Sequence, residues 1–142
     1  MQQGPLGVKA RCARKVLPSP HDPDAKRLEA PLTIDEAIAA ARAFRDERDW
    51  AQFHNPKDLA IAVSVEAGEL LQCFQWSGQD LCAPDKKPEL CDELADVMIY
   101  CAYLADALGV DAGDVMGRKI AKNALKYPAE KAKGNSKKYT EL

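Results

Sequence analysis

The chain predicts an all-α protein, a four-helix-bundle-type subunit that assembles into a dimer or tetramer. Three observations carry that expectation. From Thr33 onward apolar residues recur at helical spacing. No stretch shows the period-two alternation of a strand. The helical segments are bracketed by cap signals and joined by short connections, which is the pattern of a bundle.

Residues 1–31 precede the helices, hold five of the nine prolines and show no periodicity, so they read as a flexible N-terminal extension. Arg11, Arg14 and Lys15 resemble the basic region of a signal peptide, but no apolar stretch of about 7–15 residues follows them. Residues 32–142 form the predicted folded domain. Thr33-Ile-Asp-Glu36 is a capping box, and Ile34, Ala37, Ile38, Ala41 and Phe44 continue as one apolar stripe that fades near Arg48. A loop over 49–55 carries Trp50, Phe53 and His54. Asn55-Pro56 then starts a second helix, which runs to about Gln75. Gly78, Pro84 and Pro88 mark a loop over 77–88. A third helix runs from about Glu89 to Leu108, with Gly109 placed to cap its end. A fourth starts at Asp111 or its neighbours and stops before Pro128, and the tail after Gly134 is polar and lysine-rich.

A chain of 142 residues is one domain, and 46% apolar with 30% charged residues excludes a disordered or low-complexity polypeptide. The longest apolar run, Val97 to Ala105, is about half of what spans a bilayer, so no membrane partner is expected. The five cysteines form no C-x-x-C pair, which argues against a zinc ribbon or redox motif and for reduced thiols in a cytoplasmic protein. Charge is uneven. Residues 22–117 carry twenty acidic and eight basic side chains, and residues 118–142 carry eight basic and two acidic. An acidic body lacks the basic face of a nucleic-acid binder, and it suits a small polyanion held between an acidic metal cluster and a few lysines.

Two motifs stand out, Glu66-x-x-Glu69 in the second helix and Glu93-x-x-Asp96 in the third. Positions i and i+3 share a helix face, and both pairs border the apolar stripes that face the bundle interior. Two like charges 4 Å apart cost roughly 4 kcal/mol at an effective dielectric of 20. Either the carboxylates take raised pKa values or a cation sits among them. An all-oxygen donor set suits Mg²⁺ or Mn²⁺. Taken singly, each motif is ordinary helix-surface chemistry, and it is the joint occurrence on consecutive helices that points to a metal. A di-iron bundle needs Glu-x-x-His pairs, which His21 and His54 do not complete.

Four of the five Phe and Trp residues, Trp50, Phe53, Phe74 and Trp76, flank the second helix. They either wall a slot that stacks a nucleobase or plug the end of the bundle. Lys119, Lys122, Asn123 and Lys126 follow i, i+3, i+4 spacing and make one polar strip, a solvated face or a phosphate contact.

The blocks Glu-Arg-Asp-Trp-Ala-Gln-Phe-His-Asn-Pro-Lys (47–57), Glu-Ala-Gly-Glu-Leu (66–70), Phe-Gln-Trp (74–76), Asp-Glu-Leu-Ala-Asp-Val (92–97), Lys-x-x-x-Asn (119–123), Lys-Tyr-Pro (126–128) and Lys-Lys-Tyr (137–139) resemble the MazG-like all-α nucleotide pyrophosphohydrolases, in particular the short dCTP pyrophosphatase branch. The likeness spans about residues 33–142. It implies hydrolysis of a nucleoside triphosphate, dCTP or a modified dNTP, to the monophosphate and pyrophosphate for nucleotide-pool sanitation. It implies Mg²⁺, with Mn²⁺ as a substitute, held by Glu66, Glu69, Glu93 and Asp96. It implies a base pocket with Trp50 and Trp76, and Tyr100, Lys119 and Asn123 near the substrate; His54 is read as a loop histidine or base contact. It implies a homo-oligomer, with a tetramer expected, whose sites draw on more than one chain. One departure lies in the first helix, where some relatives carry a base-pocket histidine and this chain has Ala39 to Ala41. For the chemistry, a carboxylate free to take a proton from water is required, and Glu69 is favoured over Glu66. The competing expectation is a non-catalytic helical oligomerisation module that uses the same carboxylates as polar registry.

Overall fold

The computed structural model describes residues 31–142, so the N-terminal extension lies outside the described residues except for Pro31. Five α-helices follow one another: α1 (Ile34–Glu47), α2 (Pro56–Gln72), α3 (Lys87–Ala107), α4 (Ala112–Lys126) and the single turn α5 (Ala129–Ala132). Short 3-10 turns lie at Trp50–Phe53, Pro84–Lys86 and Tyr139–Glu141, and the described residues contain no strand. The all-α expectation holds.

α1, α2 and α4 each start where a side chain satisfies a free N–H group of the first turn. Thr33 Oγ1 accepts from the Glu36 N–H at 3.3 Å, while Glu36 Oε2 accepts from the Thr33 N–H at 2.7 Å. Asn55 Oδ1 accepts from the Asp58 N–H at 3.0 Å, with Pro56 in the first turn. Asp111 Oδ1 accepts from the Asp114 N–H at 2.8 Å. At the end of α3, the Val110 N–H reaches the Ala105 carbonyl and the Gly109 N–H reaches that of Asp106. Gly109 has φ of +64°, the left-handed turn that this closure requires and that glycine adopts without a Cβ penalty.

Some boundaries differ from the sequence reading. α3 begins at Lys87 rather than Glu89, because Pro88 sits in the first turn, where a missing N–H costs nothing. α2 stops at Gln72, three residues early, and the chain turns through 73–76 to leave Trp76 at φ of +67°. The 3-10 turn in the 49–55 loop and the turn α5 carry no apolar periodicity that reveals them in sequence.

α2 and α3 form the main packed pair. They run antiparallel: Glu66 and Glu69 lie beside Glu93, while His54, just before α2, lies on Tyr100 and Tyr103 near the far end of α3. Leu59 on α2 and Ala102 and Tyr103 on α3 are buried. α1 is pinned to the last turns of α3 by polar contacts. The Tyr103 hydroxyl donates to the Ala41 carbonyl at 2.6 Å. Asp106 accepts from Arg42 Nη2 at 2.6 Å and from Arg45 Nη1 at 3.2 Å, and the Arg45 guanidinium also lies over the Tyr103 ring.

One packing expectation is corrected. The chain has the four long helices of a bundle, but among the described residues α4 makes no more than slight contact with any other element of its own subunit. Its apolar residues Met116, Ile120 and Leu125 stay exposed, as do Ile61 and Val65 on α2 and Leu94 and Met98 on α3. Past α4 the tail folds back on itself: Tyr139 meets the Tyr127 ring edge-on, and Lys126 Nζ lies 5.0 Å from the Tyr139 ring centre.

Hydrogen bonds from Arg42, and next from Arg45, hold the Asp106 carboxyl below the usual range despite its partial burial. A depressed pKa contributes stability above the unfolded-state value of about 4, and that contribution disappears as pH falls through and below it. Asp106→Asn is therefore expected to lower stability at pH 7 by about 1–2 kcal/mol, with the difference from the parent shrinking below pH 4. Urea melts at pH 7 and pH 3.5 check it, and an equal loss at both would remove the charge from the explanation.

Candidate functional site

The antiparallel pairing of α2 and α3 sets Glu66 and Glu69 against Glu93. One carboxylate oxygen from each of the three lies within 4.8 Å of the others. Asp96 is one turn further along α3 and outside that tight group, yet its charge acts on both Glu66 and Glu93. Loss of water pushes the pKa of Glu66 up, and the neighbouring charges of Glu69, Asp96 and Glu93 push it further. Glu93 is raised in the same way, by desolvation first and then by Glu69, Asp96 and Asp92. Among the described residues no lysine or arginine contributes to either shift, so within them the cluster is an excess of negative charge without a counter-ion. All its donors are hard oxygens on two rigid helices, which fits a small divalent cation of the Mg²⁺ or Mn²⁺ kind.

Next along the α2–α3 cleft comes an aromatic layer. The His54 ring centre lies 5.1 Å from that of Tyr103 and 6.5 Å from that of Tyr100, and the two tyrosines meet edge-on. His54 Nδ1 is buried with no hydrogen-bond partner among the described residues. Burial lowers the His54 pKa, and the nearby Arg45 charge lowers it further, so the ring stays neutral at pH 7. Tyr100 is two helical turns from Glu93, which makes it the aromatic neighbour of the carboxylates on α3.

The two tryptophans do not share a site within the subunit. Trp50 precedes α2 and Trp76 follows it, and the 17 residues between their turns make a rod of roughly 25 Å. Trp76 is 89% exposed on the connection to α3, beside an open hollow of about 380 Å³ lined also by Cys73, Gln75, Ser77, Asp80, Ala83, Asp85 and Lys86. Lys119 and Asn123 stand on α4, exposed and away from the carboxylates' own helices. The structure thus brings together Glu66, Glu69 and Glu93, and His54 with Tyr100. It leaves Trp50, Trp76, Lys119 and Asn123 at separate places on one subunit.

Two residues that matter for Trp50 escaped the sequence reading. Phe44 meets its indole edge-on with ring centres 5.8 Å apart, and Arg48 stacks on the Phe44 ring at 3.6 Å. The signal was the i, i+4 spacing of Phe44 and Arg48, masked because Phe44 also continues the α1 stripe.

The MazG-like family matches residues 61–142, a span that takes in all four acidic residues, Trp76, Tyr100, Lys119 and Asn123. The chain belongs to the MazG-like family. It is 38% identical over 115 residues to human (Homo sapiens) dCTP pyrophosphatase 1, covering 78% of this chain and 68% of that protein. The mouse (Mus musculus) dCTP pyrophosphatase 1 is 36% identical over the same coverage. A pyrophosphatase from Archaeoglobus fulgidus, known from its crystal structure, is 37% identical with a TM-score of 0.62, covering 70% of this chain and 95% of that one. Of the two acidic pairs that carry the sequence resemblance, Glu66, Glu69 and Glu93 converge in space.

Raised carboxylate pKa values mean that the metal-free protein loses stability as pH rises through the carboxylate range, since the folded state holds its protons longer than the unfolded one. Glu66→Gln is expected to keep or raise the metal-free Tm at pH 7 and to abolish the increase that Mg²⁺ or Mn²⁺ brings to the parent. Thermal melts with and without millimolar metal decide this. A full metal response in the variant would take Glu66 out of the cluster's function.

Proposed function

We propose that this chain is a divalent-metal-dependent nucleoside triphosphate pyrophosphohydrolase. It converts a deoxynucleoside triphosphate, dCTP or a modified dNTP, to the monophosphate and pyrophosphate, and so clears unwanted nucleotides from the pool. The observation that carries this reading is the convergence of Glu66, Glu69 and Glu93 on facing helices, in a chain related to dCTP pyrophosphatases across most of its length.

Glu66, Glu69, Glu93 and Asp96 are the residues that would hold Mg²⁺ or Mn²⁺, which when bound polarises the phosphoryl oxygens of the triphosphate. Glu69 is the exposed member of the α2 pair, and it takes the proton of the water that attacks the α-phosphorus; Glu66 is the second candidate for that task. Trp50 and Trp76 offer flat apolar faces for the base, with Tyr100 and the neutral His54 beside them. Lys119 and Asn123 donate to phosphate oxygens, where a fixed positive charge stabilises the leaving pyrophosphate.

Since Trp50 and Trp76 stand at opposite ends of α2, one nucleotide reaches both only if they come from different subunits. The exposed apolar faces of α2, α3 and α4 support the same reading: the working unit is a homo-oligomer, a tetramer in our reading. We place it in the cytoplasm on its cysteine pattern, which suits reduced thiols. No helix among the described residues is long and apolar enough to cross a membrane.

A panel of canonical and modified dNTPs, incubated with Mg²⁺ and scored separately for pyrophosphate and phosphate, tests the reaction. Monophosphate plus pyrophosphate, lost with EDTA, is expected. Glu93→Gln is expected to reduce turnover at least 100-fold with unchanged far-UV circular dichroism. Absence of turnover with either Mg²⁺ or Mn²⁺ would instead favour a non-catalytic oligomerisation module. Sedimentation at micromolar concentration is expected to give a dimer or tetramer, and a sharp monomer boundary would refute the assembly.

A further inference from the structure

We propose that Phe44, braced by Arg48, is a positioning residue for Trp50 that fixes the plane of the indole against which the substrate base stacks. The inference rests on the nucleotide-hydrolase reading above and adds to it a residue that touches neither the base nor the carboxylates.

Five contacts make residues 44–52 a self-bonded unit. The Phe44 and Trp50 rings meet at 80° with centres 5.8 Å apart, the edge-to-face arrangement that aromatic quadrupoles favour. The Arg48 guanidinium lies 3.6 Å from the Phe44 ring centre, and Arg48 Nη1 donates to the Phe44 carbonyl at 2.9 Å, so the cation holds ring and backbone of one residue together. Asp49 takes a left-handed conformation at φ of +52°, which reverses the chain sharply after α1. Gln52 Nε2 then donates to both the Asp49 carbonyl at 2.9 Å and the Asp49 carboxylate at 2.8 Å, locking the turn that carries Trp50.

Trp50 is 46% exposed, so its indole rests on Phe44 and keeps open surface for a ligand. A half-exposed indole on a short turn has two free side-chain torsions, and a base stacks well on it only in one setting of them. Phe44 removes that freedom before the substrate arrives. Because the base is remote from the reacting phosphorus, this preorganisation favours substrate and transition state alike, and its loss appears in KM rather than in kcat.

A mere packing role for Phe44 is separable from this one. Leucine keeps apolar bulk at position 44 but cannot supply the edge-to-face contact, and tyrosine keeps the ring. In the positioning account, Phe44→Leu and Phe44→Ala each raise KM for the best nucleotide about 5- to 20-fold with kcat within twofold, while Phe44→Tyr stays near the parent. In a packing account, Phe44→Leu behaves like the parent, and that result overturns the proposal. A second readout is independent of turnover. In a Trp76→Phe background Trp50 is the sole tryptophan, and Phe44→Leu is expected to lower its fluorescence anisotropy and to increase quenching by iodide. Unchanged anisotropy and quenching would also overturn it. Trp50→Ala separates the two levels of failure. If Trp50→Ala raises KM and Phe44→Leu does not, the positioning inference falls and the base platform stands. If Trp50→Ala leaves KM unaltered, Trp50 is no base platform, and both fall together.

Discussion

The antiparallel register of α2 against α3 is the constraint on which the rest of this molecule depends. A helix advances about 1.5 Å per residue, so one chosen pairing level fixes all the others. Leu59 is buried on α2 and Ala102 and Tyr103 on α3, toward the end of the pair where His54 meets Tyr103, and the same register brings Glu66 and Glu69 opposite Glu93 about two turns from Leu59. A slip of one turn would part the carboxylates and expose Leu59. The apolar contacts at one end thus supply the stability that holds like charges together at the other. The cluster is tolerated because it occupies only one level of a pairing that is favourable elsewhere, and a cation bound there would convert its repulsion into attraction.

α1 is attached by a different kind of bond. Its few apolar contacts are supplemented by Asp106, which gathers Arg42 and Arg45, and by Tyr103, which caps a carbonyl of α1 while packing in the core. These polar ties act at one end only. They place the C-terminal half of α1 and leave the chain after Glu47 to turn on its own local bonds. Trp50 therefore takes its position from Phe44, Arg48, Asp49 and Gln52 rather than from the core.

The helices were legible because their signals are local. Thr33 with Glu36, Asn55 with Pro56, and Gly109 each act within one turn, and they mark boundaries in the sequence as they do in space. The carboxylates were legible for the same reason, since i, i+3 spacing and a stripe edge are properties of one helix. What the sequence could not give was the meeting of distant residues. Nothing in Ala39 to Ala41 announces that the Ala41 carbonyl takes a hydrogen bond from Tyr103, and Arg42 and Arg45 read only as surface charge until Asp106 is seen beside them. The bundle expectation failed at α4, because an amphipathic stripe states that a helix has a partner without stating which molecule provides it.

α4 leaves α3 through Gly109 and Val110 and then touches little else among the described residues of its subunit. It is in mechanical terms a lever with its pivot at one end. Asn123 lies twelve residues beyond Asp111, roughly 18 Å along the axis, so a rotation of about 10° at the pivot moves it by about 3 Å. That displacement is the whole length of a hydrogen bond. Lys119, nearer the pivot, moves about two-thirds as far. A helix mounted in this way transmits small changes in the Gly109 turn as large changes at its tip, and the precision of any phosphate contact made by Asn123 is set by whatever steadies the far end of the lever.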